Sequence, residues 1–121
     1  MARSLSFDVT WCGGLSLARK VSNAAEAHLL LVVPHAAGGP LLLYASTHLT
    51  TALTNVAIQE SCQRFVENDW PAMLVNPIVP ENGTVAAPEL PGFGMRVKPE
   101  IWEHPKAIVR TSRLWLLTPR G

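Results

Sequence analysis

The sequence predicts an α/β fold: a partial (β/α)8 barrel of about three strands with their helices, followed by an irregular C-terminal covering segment. Three observations predict it. Short apolar, β-favouring runs alternate with helix-length segments up to about residue 65. Each run delivers a polar residue at or near its end, namely Asp8, His35 and Glu60. Beyond Val66 the periodicity stops and most of the ten prolines follow. The expected division is therefore 1–65 for the barrel portion and 66–121 for the irregular segment that packs over it.

Taken in order, Phe7 to Trp11 reads as a short extended start, and Gly13-Gly14 as a turn. Ser16 is placed to cap a helix running to about His28, with Leu17, Val21, Ala24, Ala25 and His28 on one face. Leu29 to Val33, ended by Pro34, is a continuous apolar run of the kind found in a parallel strand buried on both faces. Pro40 suits the first turn of a second helix extending through Leu53. Val56 to Gln59 forms the third strand, ending at Glu60. Asn82-Gly83 and Pro91-Gly92 mark turns in the covering segment.

Composition bounds the function. The 121 residues are 48% apolar and only 16% charged, too hydrophobic for a disordered tail and poor in charge for a free-standing surface, so part of the apolar surface expects a partner. A net charge of +1 with ten scattered basic residues provides no footprint for nucleic acid or an anionic membrane. The N-terminus has no apolar signal core, and no run approaches the roughly 20 residues that span a bilayer. Cys12 and Cys62 lack metal-ligand spacing and fit free thiols in a reducing, cytoplasmic compartment.

In a (β/α)8 barrel the C-terminal strand ends converge on one mouth, where the chemistry occurs. Asp8, His35 and Glu60 would meet there. A carboxylate bonded to one imidazole nitrogen fixes the tautomer and supports the charge gained when the other takes a proton, so Asp8 and His35 form a candidate general base. Glu60, kept protonated, would donate a hydrogen bond to a developing oxyanion. The competing reading is that Asp8 is a turn residue and His35 a loop residue. His28 and His48 read as helix-face residues and Trp11, Trp70, Trp102 and Trp115 as packing area. Asn82-Gly83-Thr84 matches a glycosylation pattern but reads as a turn.

Asp8-Val9-Thr10-Trp11-Cys12-Gly13-Gly14 followed by Ala18-Arg19-Lys20 resembles the sixth-strand region of the mandelate racemase subgroup of the enolase superfamily. Val32-Val33-Pro34-His35 with Gly39-Pro40 resembles its seventh-strand histidine segment. Asn55-Val56-Ala57-Ile58-Gln59-Glu60 resembles its eighth-strand glutamate segment, most like galactonate dehydratase relatives. Pro80-Glu81-Asn82-Gly83 and Pro91-Gly92-Phe93-Gly94 resemble the tail that returns toward a capping domain, so the likeness covers about residues 7 to 97.

The resemblance implies that the strands are the last three of the barrel and that the chain is a C-terminal portion of a sugar-acid dehydratase, inactive alone. It implies that His35 abstracts the proton α to a carboxylate, Asp8 orients His35, and Glu60 bonds the enediolate before the β-hydroxyl is lost. It also implies Mg²⁺, with acidic ligands on the third to fifth strands, which precede residue 1; no metal ligand is assigned in this sequence. The expected partners are a sugar-acid substrate and a complementing N-terminal chain, or other copies through self-association at open strand edges. Two alternatives stay open: a non-catalytic interaction module, and a racemase or cycloisomerase of the same superfamily.

Overall fold

The structure, a computed structural model, describes residues 4–111. Strand β1 (Ser4–Asp8) leads through a turn into helix α1 (Leu15–Ala27), then strand β2 (Leu31–His35) and helix α2 (Pro40–Thr51). The strands are parallel, with Ser4 opposite Leu31 and Asp8 opposite His35. Helix α1 packs on both strands and α2 packs beside α1.

The turn after β1 depends on glycine. Gly13 and Gly14 have φ of 109° and 93°, which L side chains rarely adopt, and a Cβ on Gly13 would lie 3.2 Å from a Leu17 methyl. Gly14, not Ser16, is the N-cap of α1, and no side chain caps that end. The buried face of α1 is Ala18, Ser22 and Ala25, while Leu17, Ala24 and His28 are exposed. Small residues allow the helix to lie close to the sheet; the larger apolar residues predicted to face inward sit to the side.

β2 also departs from expectation. Leu29 takes a left-handed conformation (φ 56°), so the strand starts at Leu31 and continues through Pro34 to His35. Only one of its faces is covered: Val32 and Pro34 are buried, whereas Leu31 is exposed and Val33 and His35 are half-buried. α2 has Gly39 as N-cap and Pro40 in its first turn, and ends at Thr51 rather than Leu53. Leu42 to Thr47 and Leu49 are all buried, because the helix is sandwiched between the sheet and the C-terminal segment.

The expected third strand is reduced to a single parallel bridge, Val32 to Val56. Val32 N–H donates to the Asn55 carbonyl at 2.8 Å and Ala57 N–H to the Val32 carbonyl at 3.0 Å. The next residue of β2 facing this neighbour is Pro34, which has no N–H to continue the ladder. The sheet therefore has two full strands, with residues 56–60 alongside as a bridged third segment.

A helical segment opens the C-terminal half, with a π-helical turn (Phe65–Asp69) running into α3 (Trp70–Met73). Val66, Trp70, Leu74 and Ile78 join Leu42, Leu43 and Tyr44 in the main core. Asn76 then ties the segment together: its Oδ1 accepts from Arg96 N–H at 3.0 Å and its Nδ2 donates to the Gly94 carbonyl. Leu74 and Val97 form an antiparallel bridge, and α4 (Pro99–Trp102) follows. The Asn82-Gly83 turn is as predicted, both residues at positive φ between the bridged pair Glu81 and Thr84. Of the tryptophans, Trp70 packs in the core, but Trp11 is 90% exposed and Trp102 is also exposed, so the packing role expected of them fails there. Trp115 lies outside the described residues.

Candidate active site

Asp8 and His35 are the last residues of β1 and β2 and stand opposite each other in register. Their side chains meet: His35 Nδ1 is 3.1 Å from Asp8 Oδ2. The other carboxylate oxygen is fully engaged. Asp8 Oδ1 accepts from Thr10 N–H at 2.7 Å, Thr10 Oγ1–H at 2.6 Å and Trp11 N–H at 3.1 Å. The turn supplies these donors because the Asp8 carbonyl accepts from Cys12 N–H and the Val9 carbonyl from Gly14 N–H, folding residues 9–14 back beneath the carboxylate. Thr10 is the residue that sequence reasoning passed over; Asp-x-Thr at a strand end, with a side-chain hydroxyl two residues on, was the available signal.

The Asp8 side chain is 10% exposed and that of His35 43%. Burial pushes the Asp8 carboxyl up, but the Thr10 hydroxyl, His35 and the Trp11 and Thr10 amides together outweigh it and hold the group below its ordinary value. Asp8 is thus an anion fixed between a set of donors and an imidazole. The imidazole keeps its Nδ1 toward Asp8, and Nε2, without a partner among the described residues, is the nitrogen able to take or give a proton.

Glu60 is exposed and lies at the same end of the sheet, where its N–H donates to the Pro34 carbonyl at 3.1 Å. Gln59 sits inside this junction, its Nε2 donating to the carbonyls of Pro34 (3.3 Å) and Glu60 (2.8 Å). The three predicted residues therefore occupy consecutive positions across one rim of the sheet. A cleft of about 560 Å³ beside the third segment is lined by Thr50, Val56, Ile58 and Gln59, not by Asp8 or His35. His28 and His48 take no part; His28 is the exposed C-cap of α1, and His48 Nε2 lies 3.2 Å from the Phe93 carbonyl.

These residues do not fit a resident Mg²⁺. Both Asp8 oxygens are occupied by donors and His35 Nδ1 faces Asp8, so Glu60 alone is left as an acidic ligand. Among the described residues no group of three or more His, Cys, Asp or Glu is placed to hold a metal. No helix among them is long and apolar enough to cross a membrane.

Residues 1–101 match the model of the Enolase C-terminal domain-like family. An L-rhamnonate dehydratase from Saccharopolyspora erythraea is 33% identical over 94 residues, 78% of this chain and 24% of that protein. Among solved structures, an enolase of the mandelate racemase subgroup from Agrobacterium tumefaciens is 38% identical with a TM-score of 0.76, covering 83% of this chain and 27% of that one. An enolase protein from Sargasso Sea environmental sequencing is 30% identical with a TM-score of 0.79, covering 89% and 29% respectively. The chain thus spans about a quarter of the length of the relatives it matches. It has a sugar-acid dehydratase homologue and an α/β fold with two parallel strands, and it belongs to the enolase C-terminal domain-like family.

Proposed function

We propose that this chain supplies the proton-transfer edge of an acid-sugar dehydratase barrel, of which residues 1–121 hold only part. The observation that carries the reading is the 3.1 Å contact of Asp8 Oδ2 with His35 Nδ1 at the C-terminal ends of two paired parallel strands. Asp8 fixes the Nδ1–H tautomer, so His35 Nε2 takes the proton α to the substrate carboxylate. The electron pair left on carbon moves into the carboxylate as an enediolate, and Glu60 is the group that hydrogen-bonds the developing oxyanion. Collapse of the enediolate expels the β-hydroxyl, which takes a proton back from the His35 imidazolium and leaves as water.

The Mg²⁺ implied by the family resemblance is held, on this reading, by carboxylates outside this chain. The substrate is a sugar acid; galactonate follows from the sequence resemblance, and rhamnonate from what the Saccharopolyspora relative is named for. A cytoplasmic setting accords with two free cysteines.

Co-expression with a polypeptide carrying the remaining three-quarters of a relative tests the reading. Dehydration of galactonate or rhamnonate should appear only with both chains and Mg²⁺, and His35→Ala should abolish both it and exchange of the α-proton in heavy water. Exchange without loss of water would move the assignment to a racemase. Activity indifferent to His35→Ala would refute the dyad. The open sheet face also favours a second reading, an interaction module, in which His35→Ala leaves partner binding unchanged.

A further inference from the structure

Pro34 has a consequence for the site that reaches beyond ending a ladder. In parallel pairing, successive residues of a strand turn their N–H and C=O alternately to the two neighbours. Val32 faces the third segment, bonded to Asn55 and Ala57, so Val56 is its opposite number. Regular continuation would set Pro34 opposite Ile58 and His35 opposite Gln59. Pro34 would then donate to the Ala57 carbonyl and accept from Gln59 N–H. The donor does not exist in proline, and the observed acceptor bond is different: Glu60 N–H, not Gln59 N–H, reaches the Pro34 carbonyl, at 3.1 Å. β2 advances two residues from Val32 to Pro34 while the third segment advances three from Ala57 to Glu60.

We propose that Pro34 is a positioning residue: its missing N–H admits one extra residue into the third segment, and this bulge sets Glu60, rather than Gln59, opposite His35. Side chains alternate faces along a strand, so an offset of one exchanges which of two neighbours looks toward a given face. Without the bulge, Gln59 would share the face of Asp8 and His35, and Glu60 would turn to the helix side. With it, the carboxyl belongs to the row that already holds the dyad, a use of bulges known near active sites. Gln59 steadies the arrangement, its Nε2 bridging the Pro34 and Glu60 carbonyls. Its Oε1 is buried with no partner among the described residues, as expected of a side chain folded into a bulge rather than selected for a site.

The inference rests on the proposed dehydratase reading only for its chemical meaning; the geometry belongs to this chain alone. Amide exchange followed by NMR should show Glu60 N–H slowed and Gln59 N–H fast. Glu60→Gln should move the ring-proton resonances of His35, its proposed neighbour across the rim. Pro34→Ala restores the donor. In that variant the Gln59 amide and the new Ala amide should become slow, and Glu60→Gln should no longer move His35. Protection of Gln59 instead of Glu60 in the parent chain would overturn the proposal. So would a Pro34→Ala chain that keeps the parent pattern. If Pro34→Ala fails to fold, the parent exchange pattern and the Glu60→Gln shift still decide it. A failed co-expression assay with the exchange pattern intact would count against the dehydratase reading and leave the bulge standing.

Discussion

The carboxylate of Asp8 shows how one hydroxyl prepares a site. Three donors on Oδ1 hold the group ionised and leave Oδ2 aimed at His35. Thr10→Val removes the hydroxyl donor, so the Asp8 midpoint should rise toward the ordinary value, and stability at neutral pH should fall by about 1.5 kcal/mol, the low end for hydrogen bonds to charged groups. Thr10→Ser should recover most of both. Because the folded-state value is depressed, the stability Asp8 contributes is present above its unfolded value of about 3.9 and is lost as pH falls through the lower folded value. Urea denaturation of parent and Thr10→Val should therefore diverge at neutral pH and converge in acid. A constant difference across that range would show that Thr10 acts by packing instead.

At the scale of elements, the third segment is held where a ladder cannot hold it by Asn55. Its Nδ2 donates to the carbonyls of Ser22 and Leu30, both at 3.1 Å, joining α1 and the entry to β2 in a site that is almost fully buried. Asn55→Ala should cost about 2 kcal/mol, the range for stranding buried carbonyls, and broaden the resonances of residues 56–60; an unchanged denaturation midpoint would remove this role. Part of what was locally encoded was legible in the sequence; the Ser16 cap was not, since Gly14 takes that position. Gly13-Gly14, Pro40 and Asn82-Gly83 each require a particular backbone conformation that few other residues accept, and the predicted turns and helix start are where they were expected. His35 at a strand end was legible because it follows the apolar run of β2, whereas the segment around Asp8 was misplaced: Phe7 to Trp11 was expected to be extended, but β1 is Ser4–Asp8 and residues 9–14 fold back as a turn. What depended on a neighbour was not legible. The start of β2 was misplaced because the left-handed backbone at Leu29 leaves no mark on an apolar run. The buried face of α1 was misassigned because close packing selects Ala18, Ser22 and Ala25, which hydrophobic periodicity weights least. The third strand was overextended because the missing donor belongs to Pro34, on the strand beside it.

Over the whole molecule the sheet is unfinished in a definite direction. Helices cover the face of Val32 and Pro34, while the opposite face, bearing Leu31, Val33, Asp8 and His35, is open among the described residues. Parallel sheets ordinarily have both faces covered, and in a closed barrel the inward row is packed by side chains of the other strands. The third segment adds an edge unpaired among the described residues, with Ile58 63% exposed. Edges and apolar faces of this kind associate, so the isolated 13.1 kDa chain should sediment as species that grow with concentration. Leu31→Lys and Ile58→Lys place charges on the open face and the open edge, and each should shift the distribution toward the monomer without unfolding the helices, because neither side chain is in the core. A polypeptide carrying the remaining strands should compete with self-association, and the two substitutions should weaken its binding in parallel. That parallel separates two origins of the association. If one surface serves both, the exposed row is the seam of a barrel; if the lysines dissolve the oligomers while the complementing chain binds undiminished, the oligomers form through the irregular C-terminal segment and the seam lies elsewhere.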